Sequence, residues 1–248
     1  MQEESSQEKR ISLLNELHRK ALAQEYQIDD QLTEAIGAGD MKSVHALTEW
    51  LLDQSFLKQL PRRSTERTLT AAKNRLIVCN TYSRLAAKTG GLMPLFQYLI
   101  FEQYQNVIQN APNIQYLNRH VLSKMFIDYG TAVDQFSVTT YSEAMKEIVT
   151  YITENLTNDL SLTRVASLFG MHPVHLARKF KQETGDTFIN YVNAQRIYLA
   201  KYYFNQDMRK LSQVANLSGF NSHSYFTKVF KKITNETPTD YIKQIPEK

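Results

Sequence analysis

The C-terminal part of this chain repeats itself. Leu162, Val165, Ala166, Leu168 and Gly170 recur as Leu211, Val214, Ala215, Leu217 and Gly219, forty-nine positions on. Phe180, Lys181, Thr184, Thr187 and Tyr191 recur as Phe230, Lys231, Thr234, Thr237 and Tyr241, fifty positions on, so one residue is inserted between the two blocks, just after the glycine. Any fold for this stretch must hold the same unit twice: a short helix, a turn at glycine, a second helix carrying Phe, and a tail ending in Tyr. A helical solenoid also repeats at this spacing, but two copies are fewer than the three or so that a solenoid needs.

Each copy meets the physical requirements of a helix-turn-helix, over about residues 161–184 and 210–234. Ala166 and Ala215 allow two helices to cross closely, and glycine supplies the turn without steric cost. Val165, Leu168, Leu176 and Phe180 can bury one face of the first copy, as Val214, Leu217, Phe226 and Phe230 can in the second. Pro173 suits a first helical turn, where its missing N–H costs nothing, and Asn221 suits the N-cap of the corresponding helix in the second copy. The side chains left facing outward are Val174, Ala177, Arg178 and Lys181 in one copy, and His223, Ser224, Thr227, Lys228 and Lys231 in the other.

About residues 142–244 resemble the DNA-binding domain of AraC/XylS-type transcriptional regulators. Ala215, Gly219-Phe220, Ser224-Tyr225-Phe226, Phe230-Lys231-Lys232, Pro238 and Tyr241 carry the most specific part of the likeness. The resemblance implies seven helices, two helix-turn-helix units, and a rigid linking helix from about Phe188 to Phe204. Such a helix of ~16 residues spans ~24 Å, enough with helix widths added to set two recognition helices ~34 Å apart, one turn of DNA. The nine outward-facing residues named above are the DNA-contacting set it implies. Three positions depart from the family pattern: Asn235 stands in place of glycine, Ile242 in place of arginine, and Lys210 in place of a capping Ser or Thr.

Ahead of this domain, helical periodicity is expected over residues 7–26, Asp30–Ile36, Met41–Phe56 behind an Asp40 cap, Ser64–Lys88, Pro94–Ile108 and Ile114–Tyr129. The polar, β-branched stretch Asp134–Tyr141 marks a join, giving an N-terminal helical domain over residues 1–135 and a DNA-binding domain over 136–248. With eight Gly and six Pro in 248 residues, the closely spaced turns of a sandwich or barrel are missing, and the expected fold class is all-α. Residues 70–108 are similar to a helical region found ahead of the same domain in regulators from Gram-positive bacteria; the sugar-binding β-barrel of many family members is not recognisable.

Charge agrees with this division. Residues 1–140 carry fifteen Lys and Arg against fifteen Asp and Glu, while residues 141–248 carry fourteen against ten. The surplus therefore belongs to the C-terminal domain, as DNA binding would have it, although a solvated basic face would give the same count. No apolar run approaches the ~18 residues of a membrane span, and the polar start lacks a secretory pattern, so a cytoplasmic protein without membrane attachment is expected. The single cysteine, Cys79, excludes a disulfide framework and paired-cysteine zinc sites. It sits in the apolar stretch Leu76–Tyr82, where a buried small hydrophobe is the simpler reading than a redox switch.

Individual residues leave alternatives open. Arg178 suits bidentate pairing with guanine or a phosphate contact. Val174 and Ala177 either touch thymine methyls or only permit close approach. His223 either contacts DNA or faces solvent, and Lys181, Lys231 and Lys232 either position phosphates or are solvated. His172 and His175 lack further ligands nearby for a metal, and no metal or cofactor is expected. With no nucleotide loop and no serine-histidine-acid constellation in recognisable context, the chain reads as a non-enzyme; a relative that repairs alkylated DNA would need extra cysteines. The expectation is a transcription regulator, activator or repressor, that binds double-stranded DNA and pairs as a homodimer through its N-terminal domain. RNA polymerase falls within the range of partners, and an effector is not specified by any motif. The competing class is a helical protein–protein adaptor.

Overall fold

The computed structural model describes residues 27–53 and 65–245. The helix expected over residues 7–26 lies outside them. The backbone divides into two compact units, Met1–Gly91 with Val107–Gln135, and Leu92–Asn106 with Phe136–Lys248. Among the described residues the structure is all-α, and no helix is long and apolar enough to cross a membrane.

In the first unit, α1 covers residues 27–38 and α2 covers Met41–Asp53. Asp40 caps α2 as expected, one carboxylate oxygen accepting from the Ser43 N–H at 3.2 Å and the other from the Ser43 hydroxyl. Helix α3 is Thr65–Thr89, and α4, Pro94–Asn110, contributes its last turn here. Then α5 (Ile114–Leu117), a π-helical turn (Asn118–Leu122) and α6 (Ser123–Phe136) follow end to end. The sequence reading stopped this last helix before Gly130, yet it runs through. A Cβ at Gly130 would lie 3.2 Å from Val44 Cγ2 and 3.0 Å from Met41 Sδ, so the glycine serves a close crossing of α2 and α6 and not a helix end. Ile36, Val44, Leu51, Leu76, Leu117, Val121, Met125 and Tyr129 are buried. The Tyr129 hydroxyl donates to Asn80 Oδ1 at 2.9 Å, and burial pushes its pKa up. Cys79 is only partly buried.

The second unit contains α7 (Glu143–Glu154), α8 (Leu162–Leu168), α9 (Pro173–Thr184), α10 (Phe188–Asn205), α11 (Leu211–Leu217), α12 (His223–Thr234) and α13 (Pro238–Gln244). These are the seven helices that the family resemblance implies. Leu92–Asn106, well ahead of the expected join, belongs with them. Phe96 stacks on Phe136 with ring centroids 4.6 Å apart, and both meet the edge of Tyr198 on α10, at 5.2 and 5.6 Å. The Thr153 hydroxyl lies within hydrogen-bonding reach of the Val149 carbonyl (2.9 Å), Gln195 Oε1 (3.0 Å) and the Met93 sulfur (3.2 Å). Farther along α10, Asn205 donates to Gln103 Oε1 at 3.0 Å.

The start of α4 thus covers one side of α10 with a buried aromatic cluster. Removing Phe96, which is fully buried, should cost about 3–5 kcal/mol as a large-to-small core change. A fragment of residues 92–248 should accordingly unfold at higher denaturant than one of residues 136–248. Equal midpoints for the two fragments would show that α4 adds nothing to this unit.

Candidate nucleic-acid interface

In the first copy of the repeat, α8 is capped by Ser161, whose hydroxyl accepts from the Arg164 N–H at 3.2 Å. Val165 and Ala166 face inward, and Gly170 turns the chain with φ +64°. The Met171 N–H then returns to the Ala166 carbonyl at 2.8 Å. His172 is the N-cap of α9, its Nδ1 accepting from the Val174 N–H at 3.3 Å, with Pro173 behind it in the first turn. Leu176 and Phe180 bury the inner face. The second copy repeats this almost bond for bond: the Phe220 N–H returns to the Ala215 carbonyl at 2.9 Å, and Val214, Ala215, Phe226 and Phe230 are buried.

The tails repeat too. Thr184 Oγ1 donates to the Phe180 carbonyl at 2.8 Å and accepts from the Asp186 N–H; Thr234 does the same with the Phe230 carbonyl, also at 2.8 Å, and the Glu236 N–H. Gly185 ends α9 in the left-handed conformation, φ 78°, and Asn235 ends α12 there at φ 64°. Asparagine is the non-glycine residue that best tolerates this region, which explains the departure at that position. Thr187 and Thr237 then cap α10 and α13. Tyr191 and Tyr241 each set their ring edgewise on the repeat phenylalanine, at 5.3 and 5.6 Å.

Two local expectations need correction. The N-cap of α12 is Ser222, not Asn221, because the inserted residue lengthens this turn by one; Ser222 Oγ accepts from the Tyr225 N–H at 3.3 Å. Leu168 and Leu217 are 57% and 38% exposed, not buried. Helical periodicity continues the inner stripe through Phe169 and Ser218 instead, the former set edgewise on Tyr151 at 5.9 Å and the latter fully buried. Lys210 caps α11 without any side-chain bond, as its residue type implies.

Val174, Arg178 and Lys181 are exposed and Ala177 is half-buried, and all four line one surface groove of about 900 Å³. Its other walls are Leu160 and Leu162 at the start of α8, and Phe188 and Ile189 at the start of α10. Nothing in the repeat pattern singled out Ile189, which is 48% exposed; a large aliphatic residue just inside a polar helix cap was the available signal. On α12, His223, Ser224, Lys228 and Lys231 are exposed, while Thr227 is half-buried with its hydroxyl donating to the His223 carbonyl at 3.0 Å. Among the described residues no carboxylate pairs with Arg178, Lys181, Lys228 or Lys231 within 4.0 Å. Lys179, by contrast, reaches Glu183 at 3.7 Å. Partial burial would raise the Glu183 carboxyl, but hydrogen bonds from the Ser142 N–H (2.8 Å) and hydroxyl (2.9 Å), with Lys179 beside it, hold it below its usual range.

Both outward stripes are carried by one body. Arg196 of α10 donates through Nε to the Leu156 carbonyl at 2.8 Å and through Nη2 to the Asn158 carbonyl at 2.9 Å, with its guanidinium 5.8 Å from the Phe220 ring centre. Burial lowers its pKa. It therefore ties the loop before α8 to the turn before α12.

Residues 165–244 match the helix-turn-helix domain family. Among curated proteins, the bifunctional transcriptional activator/DNA repair enzyme AdaA of Bacillus subtilis (strain 168) is 33% identical over 100 residues, which cover 40% of this chain and 47% of that one. The regulatory protein PocR of Salmonella typhimurium is 34% identical over 109 residues, 44% of this chain and 36% of that one. The C-terminal domain is an AraC-type helix-turn-helix domain. The chain spans less than half the length of either relative. A solved structure, the C-terminal domain of the response regulator AraT from Geobacillus stearothermophilus, is 27% identical with a TM-score of 0.42, covering 43% of this chain and 89% of that one.

Within this AraC-type domain the two turn glycines are not equivalent. A Cβ on Gly170 would meet open space, whereas one on Gly219 would run into the Leu156 carbonyl oxygen and lie 2.9 Å from Arg196 Nε. Gly170→Ala should cost about 1–2 kcal/mol, the left-handed backbone penalty alone. Gly219→Ala should cost clearly more and disturb the Arg196 tie. Equal losses in thermal or denaturant unfolding would contradict the close packing of the second turn.

Proposed function

We propose that this protein is a sequence-specific DNA-binding transcription regulator of the AraC type, which inserts α9 and α12 into successive major-groove segments. One observation carries the reading: two outward stripes, matched at an offset of fifty, have no carboxylate partner among the described residues and flank a single linking helix. Val174, Ala177, Arg178 and Lys181 correspond in this way to Ser224, Thr227, Lys228 and Lys231. Helix α10, at 18 residues, has a length of about 27 Å by the rise of an α-helix, a span of the size needed to serve adjacent turns of one DNA face. The names of the relatives, an activator and a regulatory protein, support the same role. His223 extends the second stripe at its N-terminal end.

On this reading no catalytic step is assigned to the chain. The repair function in the name of the Bacillus relative belongs to that protein, which this chain covers only in part. The first unit is read as an association domain that pairs two chains. An exposed apolar stripe on α3, formed by Val78, Tyr82 and Leu85 at 51–53% exposure, supports association through that unit, because closed dimers are the commonest assembly of soluble chains.

Sites selected from random DNA, followed by mobility shifts at stated salt, separate the regulator from a protein–protein adaptor. Arg178→Ala should weaken specific binding by ~1–3 kcal/mol and relax preference at one base position. Lys231→Ala should weaken all sequences alike and lower the salt slope by about one. Full competition by unrelated DNA for the intact protein would sink the regulator reading. Sedimentation at micromolar concentration should give a dimer for the full chain, and a monomer with and without operator would leave the first unit with another role.

A further inference from the structure

The matched positions of the two recognition helices differ in chemistry, and the difference bears on what each can read. Val174 is 71% exposed, the highest exposure of any large hydrophobic residue among those described. The backbone that carries it is fixed in the first turn of α9: the Val174 N–H donates to His172 Nδ1 at 3.3 Å, and Pro173 precedes it. Ala177 and Arg178 lie three and four residues on, hence on the same face. Across the groove stand Leu162 and the exposed Ile189. A largely aliphatic concavity therefore opens to solvent, with the Arg178 guanidinium and the Lys181 ammonium also lining it. At the equivalent place on α12 stand Ser224, Thr227 and Lys228, with no aliphatic residue among them.

A base edge placed against an aliphatic wall loses water from its donors and acceptors without gaining partners, a cost the complex would have to absorb. The C5-methyl group of a pyrimidine is the one apolar element that major-groove edges present, and thymine carries it naturally. Resting on the DNA reading above, we infer that α9 recognises a C5-methylated pyrimidine through Val174, beside a guanine held by Arg178. Cβ atoms four residues apart on a helix lie ~6 Å from each other, less than two base-pair steps of ~3.4 Å. The methyl-bearing base and the guanine fall in the same or adjoining steps. The same chemistry makes 5-methylcytosine an acceptable substitute for thymine as far as Val174 is concerned, so the half-site read by α9 is sensitive to cytosine-5 methylation.

The test uses the full-length protein and duplexes built on its selected site. The half-site read by α9 is the one whose preference Arg178→Ala relaxes. Replacing a thymine there by deoxyuridine removes only the methyl group, and at the Val174 position binding should weaken about fourfold, the worth of one buried methyl. Val174→Ser, an exchange at an exposed position, should bind thymine and deoxyuridine duplexes equally. A duplex with 5-methylcytosine at that position should bind about fourfold tighter than its cytosine counterpart. Equal affinity of the wild-type protein for thymine and deoxyuridine at every position of the α9 half-site overturns the inference while leaving sequence-specific binding intact. Absence of any preferred sequence overturns instead the DNA reading on which it rests.

Discussion

Helix α10 is buried on nearly every side, and the rest of the C-terminal unit is arranged around that requirement. Nine of its 18 residues are buried, which is too many for a surface helix with one apolar stripe. It must be clothed from several directions at once. Phe188 and Tyr191 face the first repeat through Phe180, whereas Ile197, Ala200 and Phe204 face the second through Val214, Ala215, Phe226 and Phe230. Because both repeats use the same helix as their inner wall, α9 and α12 are placed with respect to one another by packing and not by a flexible connection. The polar residues of α10 reinforce this: Asn193 donates to the Tyr225 hydroxyl at 2.9 Å, and Gln195 accepts from Thr153. A buried polar group is costly unless bonded, so these contacts also select one arrangement of the neighbouring helices.

The remaining side of α10 is covered by chain that comes long before it in sequence. Leu92–Asn106 contributes Phe96 and Gln103 against Tyr198 and Asn205 of α10, and Met93 against Thr153 of the neighbouring α7. Nothing local in residues 92–106 announces this. Their apolar residues read as helix core in either unit, and pairing across about a hundred positions leaves no periodic trace. The repeat, by contrast, was legible almost in full because each matched residue performs the same local task twice. Thr184 and Thr234 close the same turn, Gly185 and Asn235 take the same left-handed backbone, and Thr187 and Thr237 cap the next helix.

Where local reading failed, the cause was geometry beyond the window being read. Leu168 and Leu217 looked like core residues because they are leucines at matched positions, but a seven-residue helix has room for one narrow inner stripe and they fall beside it. Gly130 looked like a stop because glycine usually is one, yet the neighbouring helix needs the space. The candidate site shows the same division. The outward stripe on α9 followed from helical spacing, while the aliphatic wall opposite it depends on Leu162 and Ile189 from two other helices. Exposed cations with no carboxylate partner among the described residues supply attraction to phosphate that is shared by all DNA, so on the proposed reading discrimination rests with the few side chains able to meet base edges.

The central claim is that one chain presents two recognition helices to one face of DNA. Hydroxyl-radical footprinting of the full-length protein on its selected site measures this most directly. The account predicts two protected patches per chain, their centres ~10 base pairs apart on the same face. A single patch per chain, or two patches on opposite faces, would contradict it.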